Sequence, residues 1–209
     1  MRKVFDIVIL CGLLWFGPAL NAADTGGATP RILVFGDSLS AAYGIETQAG
    51  WVALLEQRLR ERGYPHQVIN ASISGETTAG GRARLPGLLA REPFDLVIIE
   101  LGGNDGLRGL DLRQTEDNLR AMIDAAHASG AQALLVGMRL PPNYGPTYTE
   151  AFTRIYSDLA SELEVALVPF LLEGVGTDAG LMQPDRVHPR AEAQARLLDN
   201  VWPTLVPLL

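Results

Sequence analysis

A serine that follows a short apolar run is the first residue of this chain to suggest chemistry. Ser38 stands in the sequence Gly-Asp-Ser-Leu-Ser, directly after the apolar residues 32–35. Such a run is typical of a buried strand, and open α/β folds place their sites at the carboxyl ends of strands. The flanks differ from the G-x-S-x-G nucleophile elbow, because Ser40 replaces the second glycine. Since glycine, aspartate and serine are also ordinary turn residues, this stretch alone decides nothing.

A serine nucleophile needs a general base, and histidine usually supplies it because its pKa lies near the working pH. The chain has three histidines. His66 follows a proline, and His127 lies in a predicted helix. His188 lies in a predicted loop, where Asp185 can accept from its Nδ1 and leave Nε2 facing Ser38. Taken alone, this segment fits a helix entry and a turn aspartate at least as well.

Acyl transfer also needs hydrogen-bond donors that face the developing oxyanion. Gly75 can supply a backbone N–H with no side chain in the way, and Asn104 can supply its side-chain amide after a Gly-Gly pair. The backbone N–H of Ser38 would be the third donor. Considered singly, Gly75 and Asn104 are more often plain turn residues.

The elements that must position these residues alternate between strand and helix. Apolar runs predict five strands, at residues 32–35, 67–71, 94–101, 133–137 and 165–170. Helical spacing predicts helices at residues 50–62, from about 81 to 91, around 119–126 and around 152–163. Pro189 is predicted to open the last helix, with an apolar stripe of Ala191, Ala195, Leu198 and Trp202. The alternation predicts a three-layer α/β/α domain with a five-stranded parallel sheet, whose one edge carries all the candidate loops.

Four segments in this order resemble the four blocks of the SGNH (GDSL) hydrolases. They are Gly-Asp-Ser-Leu-Ser at 36–40, Gly75, Gly-Gly-Asn-Asp at 102–105, and Asp-x-x-His at 185–188. The longer segments 70–75, 99–109, 137–145 and 200–203 are similar to the exported bacterial acyl-CoA thioesterase I, lysophospholipase L1 and arylesterase group. The resemblance covers essentially the whole chain after its N-terminus and implies the flavodoxin-like SGNH hydrolase fold.

The resemblance also implies a role for each candidate residue. Ser38 would be the nucleophile, His188 the general base and Asp185 the orienting acid. Gly75 and Asn104 would be oxyanion donors, together with the Ser38 amide. The implied activity is hydrolysis of acyl esters, acyl thioesters and lysophospholipids through an acyl-serine intermediate, which requires no cofactor and no metal. Small-molecule esters and thioesters are therefore the expected partners.

Two loops are candidates for substrate binding. Leu107, Arg108 and Leu110 lie in a segment that, in similar enzymes, is mobile and closes on acyl chains. Pro142 and Tyr144 lie in a proline-rich loop that can form another apolar wall. Both segments also fit ordinary connecting loops, and Arg108 fits either an acidic head group or a solvated surface position.

The sequence departs from the resemblance at two positions. Glu76 stands where many relatives have aspartate, and Arg186 stands where many have glycine. Neither has a named role, but Arg186 separates the acid from the base and can alter access to His188 or its basicity.

Two other functions stay open at this point. A carbohydrate acetylesterase of the same family would share the catalytic blocks but prefer acetyl groups and polyol surfaces. A non-catalytic binding module could keep the same fold, because fold does not fix function. The sequence contains neither a P-loop nor a His/Cys/Asp cluster with metal-ligand spacing.

The N-terminus predicts export. Residues 1–23 have the form of a signal peptide, with a basic start, an apolar run at 7–16 and small residues for cleavage near 22–23. The apolar run is too short to span a membrane, although an uncleaved anchor is an alternative. Cys11, the only cysteine, lies inside this segment. Lipidation there is disfavoured by the large Leu10 before it. Because cleavage would remove Cys11, we expect a mature chain without cysteine and without disulfides.

Length and charge set the remaining expectations. Residues 24–30 are predicted to be a flexible leader, and residues 31–209 a single SGNH hydrolase domain. The net charge of −7 and the absence of a basic stripe argue against nucleic acid as a partner. We expect a monomer in the periplasm or outside the cell, with no stable membrane insertion after signal cleavage.

Overall fold

Apolar strands at the centre of the molecule form one parallel sheet. The computed structural model describes residues 29–209. Its strands are Arg31–Gly36 (β1), Gln67–Asn70 (β2), Leu96–Glu100 (β3), Gln132–Val136 (β4) and Ala166–Val168 (β5). Their spatial order is β2-β1-β3-β4-β5, and each neighbouring pair is parallel. β3 is buried along its whole length, as expected for a strand covered on both faces.

Helices cover both faces of this sheet. Within the described residues they are Trp51–Glu61 (α1), Thr78–Leu89 (α2), Gly103–Leu107 (α3), Leu112–Ala128 (α4), Pro146–Glu162 (α5) and Gln194–Leu205 (α6). Because crossovers are right-handed, the turn back from β2 to β3 places α2 on the face opposite α1. α1 packs against α6, and α2, α4 and α5 pack side by side. The predicted three-layer α/β/α architecture is confirmed.

The apolar stripes of α4 and α5 face the sheet as their spacing predicted. The inward side chains are Leu119, Met122, Ile123 and Ala126 on α4, and Phe152, Ile155, Tyr156 and Leu159 on α5. Burying one such side chain stabilises the fold by about 1.5–3 kcal/mol relative to leaving it in water. These two helices therefore cover one face of the sheet and stabilise it.

The start of the last helix was predicted wrongly. Pro189 is not its first residue, because Pro189 forms an isolated antiparallel bridge with Met182. The next backbone N–H, that of Arg190, donates to the carbonyl of Leu181 at 2.7 Å. A 3₁₀ turn follows, and α6 begins only afterwards. The segment predicted to enter the helix is therefore extended, and its pairing holds His188, the residue before Pro189.

The predicted stripe of that helix was also mostly wrong. Ala191 and Ala195 are exposed, Trp202 is half-buried, and of the four only Leu198 is buried. The face that packs inward consists of Gln194, Leu197, Leu198, Val201 and Leu205. The later start changes which residues share a face, and alanines carry too little apolar area to define a stripe on their own.

The N-terminal predictions lie outside the described residues. Residues 1–28 include the predicted signal peptide, Cys11 and most of the predicted leader. Within residues 29–209, no helix is both long enough and apolar enough to cross a membrane.

A glycine at the end of β4 allows the close approach of two backbone segments. The Gly137 N–H donates to the carbonyl of Val168 at 2.8 Å, and the Gly137 carbonyl accepts from the Leu171 N–H at 3.1 Å. A Cβ at this position would lie 2.5 Å from the carbonyl oxygen of Pro169. Because backbone atoms cannot rotate away, we expect Gly137→Ala to lower the free energy of unfolding by about 1–3 kcal/mol in urea denaturation.

Gly87→Ala is the matched control. Gly87 lies at an exposed position of α2, and a Cβ there would meet no atom within 4 Å. Since alanine is the better helix former, this substitution should raise the free energy of unfolding by about 0.5–1 kcal/mol. Similar effects of the two substitutions would contradict the packing explanation.

Candidate active site

Ser38 lies at the point where the strand order of the sheet reverses. In the order β2-β1-β3, the chain leaves β1 toward one side and leaves β3 toward the other, which opens a crevice between them. Ser38 follows β1 in a tight turn, in which the Ala41 N–H donates to the Asp37 carbonyl at 2.9 Å. The Tyr43 N–H donates to the Ser38 carbonyl at 3.1 Å. The turn leaves Ser38 half-buried, with its hydroxyl in contact with His188.

Ser38, His188 and Asp185 form a continuous hydrogen-bonded series. The distance from His188 Nε2 to Ser38 Oγ is 2.9 Å, and that from His188 Nδ1 to Asp185 Oδ2 is 2.7 Å. A carboxylate can only accept, so Nδ1 carries the proton of the neutral ring. Nε2 then has a free lone pair for the Ser38 hydroxyl proton. This is the geometry that an activated serine requires.

Asp185 is held in its ionised form. Burial alone would raise the pKa of Asp185, but the hydrogen bond with His188 and the backbone N–H groups of Val187 and His188 lower it to about 2. Both N–H groups donate to Oδ1 at 3.0 Å. Asp185 therefore remains an acceptor for His188 at every pH at which the imidazole is neutral.

Two residues that the sequence analysis missed hold the His188 segment in place. The Gln183 side-chain amide donates to the carbonyls of Tyr43 at 2.8 Å and Pro189 at 3.0 Å. The Gln183 N–H donates to the His188 carbonyl at 2.7 Å. The rings of Tyr43 and His188 lie 4.4 Å apart, centroid to centroid. Neither Gln183 nor Tyr43 belongs to a motif, so only the three-dimensional structure identifies them.

Arg186 has a backbone conformation that explains the difference noted from the sequence. Its φ is 59°, in the left-handed region that glycine adopts at little cost. The side chain of Arg186 also lines the cavity beside Ser38. A larger residue thus occupies a glycine-like position without displacing Asp185 or His188 from each other.

Asn104 lies beside the Ser38 turn, but not in a turn of its own. It follows the two glycines as the second residue of α3, so it belongs to a short helix and is not a plain turn residue. Its Nδ2 donates to Asp37 Oδ2 at 3.0 Å, and its Oδ1 accepts from Arg108 Nη2 at 3.3 Å. Asp37 Oδ1 accepts the N–H of Leu39 at 3.0 Å. The amide is therefore held from both sides next to Ser38.

Gly75 is connected to the same group of residues. Its φ is 80°, and its carbonyl accepts from Arg108 Nη2 at 3.0 Å. Within residues 29–209, the backbone N–H groups of Gly75 and Ser38 donate to no other protein group. Both N–H groups are therefore available to a ligand, although Gly75 does not line the cavity described below.

The start of α2 is fixed by the residue that follows Asn104. The carboxylate of Asp105 accepts from the Thr78 N–H at 2.9 Å and from the Thr78 hydroxyl at 2.6 Å. Asn118 Nδ2 donates to the Thr78 hydroxyl at 3.1 Å. The helix therefore begins at Thr78, earlier than the predicted start near residue 81. The contact between Thr78 and Asp105 also connects the loop of Gly75 to α3.

A buried glutamate beneath the Ser38 turn was missed by the sequence analysis. Glu100 ends β3, next to Gly36 in the register of the sheet. Its Oε2 accepts from the Ser40 hydroxyl at 2.6 Å and from the Asp37 N–H at 3.3 Å. A Cβ at Gly36 would lie 2.5 Å from this oxygen, so only glycine allows the approach. The available signal was a single carboxylate at the end of an otherwise apolar strand.

This carboxyl group and that of Asp37 share one buried environment. Burial raises the pKa of Glu100 well above its usual value, and the nearby Asp37 raises it further, against the hydrogen bond from Ser40. Burial also raises the pKa of Asp37 to about 6, although the hydrogen bonds from Leu39 and Asn104 oppose the change. Glu100 therefore keeps its proton to a higher pH than an exposed glutamate does, which limits the negative charge that this pair buries.

A cavity of about 460 Å³ opens beside Ser38 and His188. Its walls are mainly apolar and include Leu107, Met138, Leu140, Pro142, Phe170 and Leu172. Charged groups are also present, on Arg139, Glu173 and Arg186. The size lies within the range of small-molecule sites. Of the predicted substrate-binding residues, Leu107 and Pro142 line this cavity.

The other predicted substrate-binding residues do not line it. Arg108 contacts Gly75 and Asn104, as described above. The Tyr144 hydroxyl donates to the Leu107 carbonyl at 2.9 Å, and Leu110 is exposed. The segment predicted as a loop begins inside α3. Among residues 29–209, no group of three or more His, Cys, Asp or Glu side chains could hold a metal ion.

Comparison with known proteins gives consistent matches. The model of the GDSL-like Lipase/Acylhydrolase family matches residues 34–196. Esterase TesA of Pseudomonas aeruginosa is 59% identical over 191 residues, which cover 91% of this chain and 95% of the relative. The Thioesterase 1/protease 1/lysophospholipase L1 of Escherichia coli K12 is 45% identical over 188 residues, which cover 90% of this chain and 86% of the relative.

A solved structure is similar in three dimensions as well. The crystal structure of TesA superposes with a TM-score of 0.84 at 60% sequence identity. The match covers 86% of this chain and 99% of that chain. The similarity therefore extends over the sheet, the flanking helices and the edge at which Ser38 lies.

We expect Glu100→Gln to reduce the pH dependence of stability. The folded protein keeps a proton on Glu100 that the unfolded chain releases above about pH 4.5, so the free energy of unfolding falls as pH rises beyond that value. The slope can reach about 1.4 kcal/mol per pH unit. Glutamine does not titrate, so urea denaturation at pH 5 and pH 7 should show a flatter profile for the variant.

Glu46→Gln is the control for the loss of one carboxylate, because Glu46 is exposed. Its profile should follow that of the wild type. If the free energy of unfolding of Glu100→Gln fell with pH as steeply as that of the wild type, the assignment of a buried, protonated Glu100 would be contradicted.

Proposed function

This chain belongs to the GDSL-like lipase/acylhydrolase family, and on that premise we propose that it is a serine hydrolase of acyl esters and acyl thioesters. The observation that carries the proposal is the contact of Ser38 Oγ with His188, which is oriented by Asp185, beside an apolar cavity. The names of the relatives, an esterase and a thioesterase/lysophospholipase, support the same substrate classes. Lysophospholipids are included in the proposed range on that basis.

The proposed first half-reaction transfers the acyl group to Ser38. Ser38 Oγ attacks the acyl carbon while His188 Nε2 takes the hydroxyl proton, and Asp185 stabilises the resulting imidazolium. The carbonyl oxygen becomes an oxyanion that accepts from the N–H groups of Ser38 and Gly75 and from Asn104 Nδ2. The bond to the leaving oxygen or sulfur then breaks, and His188 returns the proton to the leaving group.

The second half-reaction releases the acid. A water molecule gives one proton to His188 Nε2 as its oxygen attacks the acyl-serine carbon. The same donors stabilise the second oxyanion. The bond to Ser38 Oγ breaks and Oγ recovers the proton from His188. The charges balance within these side chains, so the proposed cycle calls for no cofactor.

The cavity supports a preference for acyl chains over short acyl groups. Its walls, including Leu107 and Pro142, can cover an apolar chain that begins at Ser38. Each buried methylene stabilises a complex by about 0.8 kcal/mol. A carbohydrate acetylesterase would instead need polar side chains for a polyol, and most of this wall is apolar.

Export and oligomeric state also remain proposals. We propose that the mature enzyme acts as a monomer in the periplasm or outside the cell. The support for export comes from residues 1–23, whose composition resembles a signal peptide. The residues for which the structure is described contain no membrane-spanning helix.

Ser38→Ala should abolish hydrolysis of p-nitrophenyl octanoate, with kcat lowered by at least about 10⁴-fold, because the nucleophile is gone. The circular dichroism spectrum should stay unchanged. Ser157→Ala, at an exposed position of α5, is the control and should keep full activity. A fluorophosphonate should label the wild type and the control but not Ser38→Ala. A wild type that stays unlabelled would indicate a binding module instead.

The preference for chain length should separate the esterase from the acetylesterase. We expect kcat/KM for the octanoyl ester to exceed that for the acetyl ester by about tenfold or more, through burial of the added methylenes. Leu107→Trp should narrow the cavity and reduce this ratio, mainly through the octanoyl ester. A higher kcat/KM for the acetyl ester in the wild type would favour the acetylesterase.

A further inference from the structure

Arg108 joins the two segments that carry the proposed oxyanion donors. One atom of its guanidinium group, Nη2, donates to the Gly75 carbonyl at 3.0 Å and to Asn104 Oδ1 at 3.3 Å. Its backbone N–H donates to the Asn104 carbonyl at 3.2 Å. Gly75 lies in the loop after β2, whereas Asn104 lies in α3. Within the described residues, Arg108 thus links two segments that come from different strands of the sheet.

The contacts of Asn104 fix which way its amide points. An ionised Asp37 can only accept a hydrogen bond, and Arg108 can only donate one. Nδ2 must therefore face Asp37, and Oδ1 must face Arg108, as the distances show. A flipped amide would place its oxygen against the carboxylate and its NH₂ group against the guanidinium. One Nδ2 hydrogen remains free of Asp37 and can serve an oxyanion.

Arg108 also restrains Gly75. Glycine rotates about its backbone bonds more freely than any other residue, so a donor on glycine is easily misaligned. The contact between Arg108 and the Gly75 carbonyl limits that rotation. This restricts the directions open to the Gly75 N–H, which has no acceptor within residues 29–209.

The charge of Arg108 is not neutralised by a neighbouring carboxylate. Among residues 29–209, no Asp or Glu lies within 4.0 Å of its guanidinium nitrogens. Both of its side-chain acceptors are neutral carbonyl oxygens. A cation that donates to Oδ1 polarises the amide and makes the Nδ2 hydrogens stronger donors. The orientation of the Asn104 amide and its polarisation by Arg108 therefore both favour a hydrogen bond from Nδ2 to an oxyanion.

We propose that Arg108 is a positioning residue that aligns the Asn104 amide and the Gly75 N–H for the oxyanion. This inference rests on the proposed function, because it takes these two groups as the donors. Arg108 does not line the cavity beside Ser38, so it acts through its neighbours and not on the substrate. Donors that matter only for the oxyanion affect the transition state and not the bound ester.

Arg108→Ala should lower kcat for p-nitrophenyl octanoate by about 10- to 100-fold, somewhat less than the outright loss of one oxyanion donor. KM should change by less than about threefold, since ground-state binding is untouched. Guanidinium at non-denaturing concentrations should restore part of kcat, because it can donate to both carbonyls. Ammonium is more strongly hydrated than guanidinium, so it should restore much less.

Two further variants complete the test. Arg108→Lys keeps the charge on a shorter side chain that cannot reach as far as Nη2, so its kcat should fall between those of the wild type and Arg108→Ala. Arg113→Ala is the matched control on the neighbouring helix, because the Arg113 side chain is 90% exposed. Its kcat should equal that of the wild type. Unchanged thermal unfolding of the Arg108 variants, with the expected kcat and rescue, would support a positioning role.

Three results would overturn the proposal. The first is wild-type kcat in Arg108→Ala. The second is an effect on KM alone, or a loss of activity only with esters whose leaving group carries a negative charge. Either result would assign Arg108 to substrate binding. The third is a loss of kcat that follows a lowered unfolding temperature and does not respond to guanidinium, which would make Arg108 structural. Wild-type kcat in Ser38→Ala would instead refute the proposed function itself, and the two failures are thus distinguishable.

Discussion

A carboxyl group buried between the two central strands is the contact on which the site depends. Glu100 extends over Gly36 and binds the turn of Ser38 through Ser40 and the Asp37 N–H. The Asp37 side chain in turn holds Asn104. Because Arg108 connects Asn104 to the Gly75 loop, a continuous series of contacts leads from the interior of the sheet to the proposed oxyanion donors. Rigid strands, and not the loops alone, therefore set the position of these groups.

Two aspartates beside the same serine have opposite environments. Hydrogen bonds from His188 and two backbone N–H groups lower the pKa of Asp185 to about 2, whereas burial raises that of Asp37 to about 6. Asp185 can thus orient and stabilise a positive imidazole at any working pH. Asp37 lies in the interior with Glu100, where a charge reduces stability. The fold accepts this cost at the place where it fixes an amide donor, as functional sites commonly do.

The sequence predicted the architecture well because its signals were local. The apolar runs of β1 and β3 and the strand-helix alternation depend on neighbouring residues, and the motifs named Ser38, Asp185 and His188, which the structure brings into contact. The role of Glu100 depends on Asp37 and Ser40, and that of Gln183 on its bond to Tyr43, all far away in the sequence, so no local pattern revealed either role. The start of α6 was wrong for another reason, because an antiparallel bridge to the nearby Met182 keeps Pro189 extended, and a proline before a helical pattern gives no sign of such a bridge.

One short helix serves several parts of the site at once. α3 carries Asn104 on the side of Asp37, and Leu107 on the wall of the cavity, with Arg108 directly after its last residue. In the proposed reaction, an acyl chain that packs on Leu107 therefore contacts the same five-residue helix that presents the amide donor. The apolar contact with the chain and the position of the donor therefore depend on one element of structure. This arrangement gives a physical reason why a well-packed acyl chain can favour the reaction itself, and not only binding.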